Sequence, residues 1–116
     1  GLPEGDLQGY RVPLISGTRE DDVAGSLTYY FNSRQVCQKI TLLGSTGDPR
    51  KITAEIIGRF GLRRQTTSDA SLQLYQTRWN GKPVSELKIK VVPVVKASEP
   101  LARYEINLLL TSWQGR

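Results

Sequence analysis

Asn80-Gly81 is the tightest constraint in this chain. An Asn-Gly pair between two alternating runs specifies a two-residue β-hairpin turn of type I′, because both central residues must take positive φ. The runs on either side, LQLYQTRW and KPVSELKIKVV, have the two-residue period of strands. Pairing Trp79 with Lys82 sets Leu74 opposite Leu87 and Leu72 opposite Ile89. A second turn near Ala97–Pro100 returns ARYEINLLLTSW, with Val91 expected opposite Ile106. These registers predict an antiparallel meander over 72–79, 84–92 and 103–112. One face is apolar; the other carries Gln73, Tyr75, Glu86, Lys88, Lys90, Glu105 and Asn107.

Upstream, SLTYYFNSRQVCQKITLL predicts another hairpin, with its turn at Asn32–Gln35, Phe31 facing Val36 and Leu27 facing Ile40. Between the two β-segments lies a helix expected over 49–60. Asp48 suits its cap, Pro49 its first position and Gly61 the residue after its end. Ile52, Ile56, Ile57 and Phe60 form its apolar stripe. YRVPLI has strand character, but Pro13 lacks an amide donor, so the segment reads as an edge strand or extended tail. LRRQTTSDA reads as a short strand or connector. The expected fold class is α+β: a mainly antiparallel sheet of about five strands, ordered β-β-α-β-β-β, with one amphipathic helix packed on one face. Residues 1–22 form an acidic lead-in that includes the edge strand, and 23–116 a single α+β domain.

At 116 residues, one domain is expected. Charge is unevenly spread. Residues 1–22 hold five acids against two bases, a net −3, and the remainder fourteen bases against six acids, a net +8. A basic body can attract nucleic acid, anionic lipid or an acidic partner, although net charge also serves solubility.

The chain contains no histidine and a single cysteine, Cys37. That removes Ser-His and Cys-His nucleophile activation, Cys/His zinc sites and any internal disulfide. The carboxylates Asp21, Asp22, Glu86 and Glu105 form no constellation with a base and a nucleophile. A non-enzymatic module without metal or cofactor is expected.

GSTGDPRK, before the helix, resembles a phosphate-cradling loop but fails G-x-x-x-x-G-K-[ST]. Asp48 would occupy the helix amides and repel phosphate, so the loop is read as a strand-to-helix turn that binds no nucleotide. YQTRWNGK gathers Arg78, Trp79 and Lys82, and GRFGLRR gathers Arg59, Arg63 and Arg64. Together these six are the candidate anion or partner patch. Helix-end cations and cross-hairpin packing of Trp79 are the simpler reading of the same residues.

The segments LQGYRVPLISGT, DDVAGSLTYYFN, GSTGDPRKI and YQTRWNGKPVSELKIK together resemble an uncharacterised bacterial family over residues 7–112. Its members look like exported or membrane-anchored proteins with a C-terminal domain of unknown function. The resemblance implies a soluble globular piece cut from a longer protein, located at the cell envelope, and transfers no catalytic residues. A chain beginning at Gly1 and lacking methionine agrees with an excised domain. The leading functional expectation is a protein-binding or structural module contacting another protein through a sheet face or edge. The alternative is a basic domain that binds nucleic acid or anionic lipid, with nucleic acid disfavoured for want of a motif.

Overall fold

The computed structural model describes residues 7–15 and 19–111. One antiparallel sheet of seven strands dominates: β1 (Gln8–Leu14), β2 (Val23–Phe31), β3 (Cys37–Thr46), β4 (Arg63–Gln65), β5 (Leu72–Trp79), β6 (Lys82–Val91) and β7 (Tyr104–Thr111). Among the described residues a single helix, α1 (Arg50–Phe60), joins β3 to β4. The order across the sheet is β1-β2-β3-β7-β6-β5-β4. This overturns the α+β expectation of about five strands with a packed helix: the molecule is mostly sheet. The extra strands are β1 and β4. Tyr10, Val12 and Leu14 alternate toward the side occupied by Tyr29 and Leu27, so β1 pairs along its whole length despite Pro13. The chain leaves α1 through Leu62, which is buried, and this lays Arg63–Gln65 beside β5.

The structure corrects three registers. Leu27 lies opposite Leu42, not Ile40, and Phe31 opposite Cys37, not Val36, with a bulge at Tyr30/Phe31. Asn32 causes it: its side-chain oxygen accepts the amides of Arg34 and Val36, and Gln35 takes positive φ, which lengthens the turn. Val91 faces Tyr104 rather than Ile106, and Ile89 faces Ile106. That is a slip of two, so face assignments survive. The third correction is a slip of one. Asn80 and Gly81 both have positive φ, as the hairpin requires, but a bulge at Thr77/Arg78 shifts the rest of the pair. Tyr75 therefore meets Leu87, and Leu74 meets Lys88. Tyr75 and Gln73 move to the core side, and Leu72 and Leu74 to the other.

The core face gathers Leu42, Tyr75, Leu87, Ile89, Ile106 and Leu108 with Ile56 of α1 and Leu62. Leu87 is fully buried, and Ile89 and Ile106 are 1% exposed. Ile52 and Ile57 pack against this cluster. Phe60, expected in the same stripe, is 45% exposed because the last turn of α1 runs past the core. Gly61 closes the helix in the left-handed region, its amide donating to the carbonyl of Ile57 at 2.9 Å. The opposite, open face carries Lys88, Lys90, Glu105 and Asn107, together with Leu43, Leu72 and Leu74.

Candidate functional site

The six residues of the expected patch do not all share one face of the sheet, although Trp79 and Lys82 are cross-strand neighbours. Arg63 and Arg64 are consecutive in β4, so their side chains leave opposite sides of the sheet: Arg63 pairs with Gln76 and Arg64 with Tyr75. Arg59 is exposed in the last turn of α1, where cations are favoured by the helix dipole. Arg78 is engaged in a network. Its Nε donates to Gln76 Oε1 at 3.2 Å, and its Nη1 donates to the carbonyl of Gly81 at 3.1 Å. Gln76 in turn donates to Glu86 Oε1 at 2.6 Å. Gln76 is 6% exposed, and this bonding compensates its burial. Glu86 also lies 3.6 Å from Lys88 Nζ, so its carboxylate is engaged by both Gln76 and Lys88.

Trp79 stands opposite Lys82 and is 53% exposed. It borders a groove of about 570 Å³ at the hairpin end of the core face, beside Phe60, Ile40, Val84 and Leu110. Cys37 also lines this groove, its thiol donating to the carbonyl of Lys39 at 3.6 Å. Sequence spacing could not find the groove, because its walls come from β3, α1, β5, β6 and β7.

The GSTGDPRK segment is a strand end and a turn. Gly44, Ser45 and Thr46 belong to β3. Thr46 is 1% exposed, and its hydroxyl bonds the carbonyl of Glu20 at 3.1 Å. The N-cap position falls on Pro49, one residue later than expected, with no side-chain cap bond of its own. Asp48 nonetheless accepts the Arg50 amide at 3.1 Å and the Arg50 guanidinium at 2.7 Å. The Arg50 side chain, then its amide, holds the Asp48 carboxyl down at about 2. An anion approaching these amides would meet a carboxylate already in place. Among the described residues, no group of three or more His, Cys, Asp or Glu is placed to hold a metal ion.

The sheet edges differ in kind. β4, on one side, has three residues. β1, on the other, has seven, of which six are exposed. Its inner edge pairs with β2 from Gln8↔Phe31 to Leu14↔Gly25, and among the described residues no strand pairs with its outer edge. Tyr10 is 53% and Val12 43% exposed on the core-face side, where the Tyr10 ring meets Phe31 edge to face with centroids 5.6 Å apart. On the open side, the Lys39 ammonium lies 4.5 Å above the Tyr30 ring. The alternation of YRVPL signalled this edge in the sequence; the aromatic shelf behind it depends on the β2 register.

The model for the Family of unknown function (DUF6690) matches residues 1–115, and the chain belongs to that family. No curated protein and no solved structure matches it.

Proposed function

We propose that this member of a family of unknown function is a non-enzymatic protein-binding module that takes an extended segment of another protein onto the outer edge of β1. One observation carries the reading: a seven-residue terminal strand, six of whose residues are exposed, that among the described residues pairs on one side only. Such an edge offers a row of backbone donors and acceptors, and strand addition uses them for affinity while side-chain contacts set specificity. Tyr10 and Val12, exposed beside it, supply apolar contact. The absence of histidine in the chain supports a binding role over a catalytic one.

Photo-crosslinking tests this. Benzoylphenylalanine is placed at Gln8 on the edge, or at Lys51 on α1, in the full-length protein expressed in its own cells. A discrete protein adduct from position 8 and none from position 51 is expected. Equal adducts from both positions, or none from position 8, would remove the reading.

The resemblance to exported and anchored proteins supports display at the cell envelope. Among the described residues, no helix is long and apolar enough to cross a membrane, so an anchor would be supplied elsewhere. Fractionation of cells producing the full-length protein tests the location; recovery solely from the cytoplasmic fraction would refute it.

A further inference from the structure

The strand-addition reading leaves open what kind of segment the edge accepts, and the charges around β1 narrow it. β1, β2 and β3 contain no aspartate or glutamate in any position; their charged residues are Arg11 and Lys39. Both belong to the open face, Arg11 opposite Thr28 and Lys39 opposite Tyr30. Arg34 sits in the turn beyond Phe31, adding a third cation at the end where β1 begins. Among the described residues, the acids Glu20, Asp21 and Asp22 precede β2 and so lie at the opposite end, toward Leu14 and Gly25; Glu4 and Asp6, which precede β1 in the sequence, fall outside the described residues.

The two sides of the edge thus differ chemically. Toward the core face, Tyr10, Val12 and Leu14 alternate with Tyr29 and Leu27 behind them, an apolar shelf. Toward the open face, Gly9, Arg11 and Pro13 alternate. Gly9 has functional weight here, since a side chain at that position would come within 3.2 Å of the Tyr30 ring, the platform over which Lys39 rests. Adjacent residues of an added strand face opposite sides, so each pair of them meets the apolar shelf on one side and the face carrying Arg11 on the other.

We infer that the β1 edge selects an extended segment that alternates apolar with acidic residues, its carboxylates flanking Arg11 on the open face. This rests on strand addition at β1. A second copy of this chain is a poor occupant: its own β1 carries no carboxylate, so self-pairing would leave Arg11 without an acidic partner across the new ladder.

The probes are two acetylated, amidated octapeptides, one alternating valine with glutamate and one alternating valine with lysine. Each is titrated into the full ¹⁵N-labelled chain while amide shifts are followed. The glutamate peptide should shift amides within Gln8–Leu14 and bind at least about fivefold tighter than the lysine peptide, the scale of one or two favourable cross-strand charge pairs set against repulsive ones. Arg11→Glu should reverse the preference, and Arg11→Gln should narrow it, both with unchanged β7 amide dispersion. Equal affinity for both peptides at β1 would overturn the acidic specificity while leaving strand addition standing. No shift at β1 with either peptide would overturn both.

Discussion

Single residues in this molecule are constrained most where backbones meet. Gly25 and Gly44 face each other across β2 and β3. Gly25 has φ of 150°, and a methyl there would overlap the carbonyl oxygen of Leu43; at Gly44 it would overlap that of Ala24. Gly58 in α1 has nothing within 4 Å of where a methyl would stand. Gly25→Ala and Gly44→Ala should each lower stability by at least about 1–3 kcal/mol through overpacking. Gly58→Ala should raise it by about 0.5–1 kcal/mol through helix propensity. Denaturant melts of the three variants check this, and a stabilised Gly25→Ala would show that the close approach is misread. Asp48 offers a test in pH. Arg50 holds its carboxyl near 2, below the ordinary value of about 3.9. A depressed pKa means that the unfolded chain binds the proton more tightly. The contribution to stability is then complete above about 3.9 and is lost as pH falls through about 2. Asp48→Asn should flatten the acid limb of the melting temperature between those values, and Arg50→Ala should return the carboxyl toward its ordinary pKa by NMR titration.

Individual elements were legible where local pattern decides them, and obscure where distant pairing does. Asn80-Gly81 predicted the β5–β6 turn, and Gly61 the helix end, because each position requires positive φ. Tyr75 was misplaced because the bulge at Thr77/Arg78 leaves no mark on the alternation of LQLYQTRW. β4, read as a short strand or connector, stays undecided from sequence because three residues are too few for a period and their pairing follows from burial of Leu62. The β3–β7 pairing joins residues some sixty positions apart, as in Leu42↔Leu108, and no local signal encodes it. The same limit hid the groove beside Trp79 and split the arginines of GRFGLRR between two faces of the sheet. The helix stripe was read correctly at its centre. Ile56, 8% exposed within the core cluster, should cost about 2–5 kcal/mol when replaced by alanine. Phe60→Ala, at an exposed helix end, should cost far less; equal losses in thermal melts would mean that α1 packs along its whole length.

At the scale of the whole molecule, the sheet has a closed centre and one long open side. β3, β7 and β6 pair on both edges and carry Leu42, Ile106, Leu108, Leu87 and Ile89, while among the described residues β1 pairs on one edge alone. Arg63 and Arg64 of the expected patch leave opposite faces of the sheet. Arg63→Glu/Arg64→Glu together should therefore leave any weak, salt-sensitive binding to DNA or anionic vesicles little changed, and that binding should fade near 0.15 M salt, where screening acts over about 8 Å. Tight binding at that salt, lost in the double variant, would favour a nucleic-acid or lipid surface instead. The most direct measurement of the central claim is amide hydrogen exchange along β1 in the purified chain. Inward-facing amides of β1 should show modest protection, outward-facing ones should exchange nearly as fast as unstructured chain, and those of β3, β6 and β7 should be slowest. Uniform protection on both edges of β1 would mean that the edge is already covered, and would contradict a module built to receive a strand.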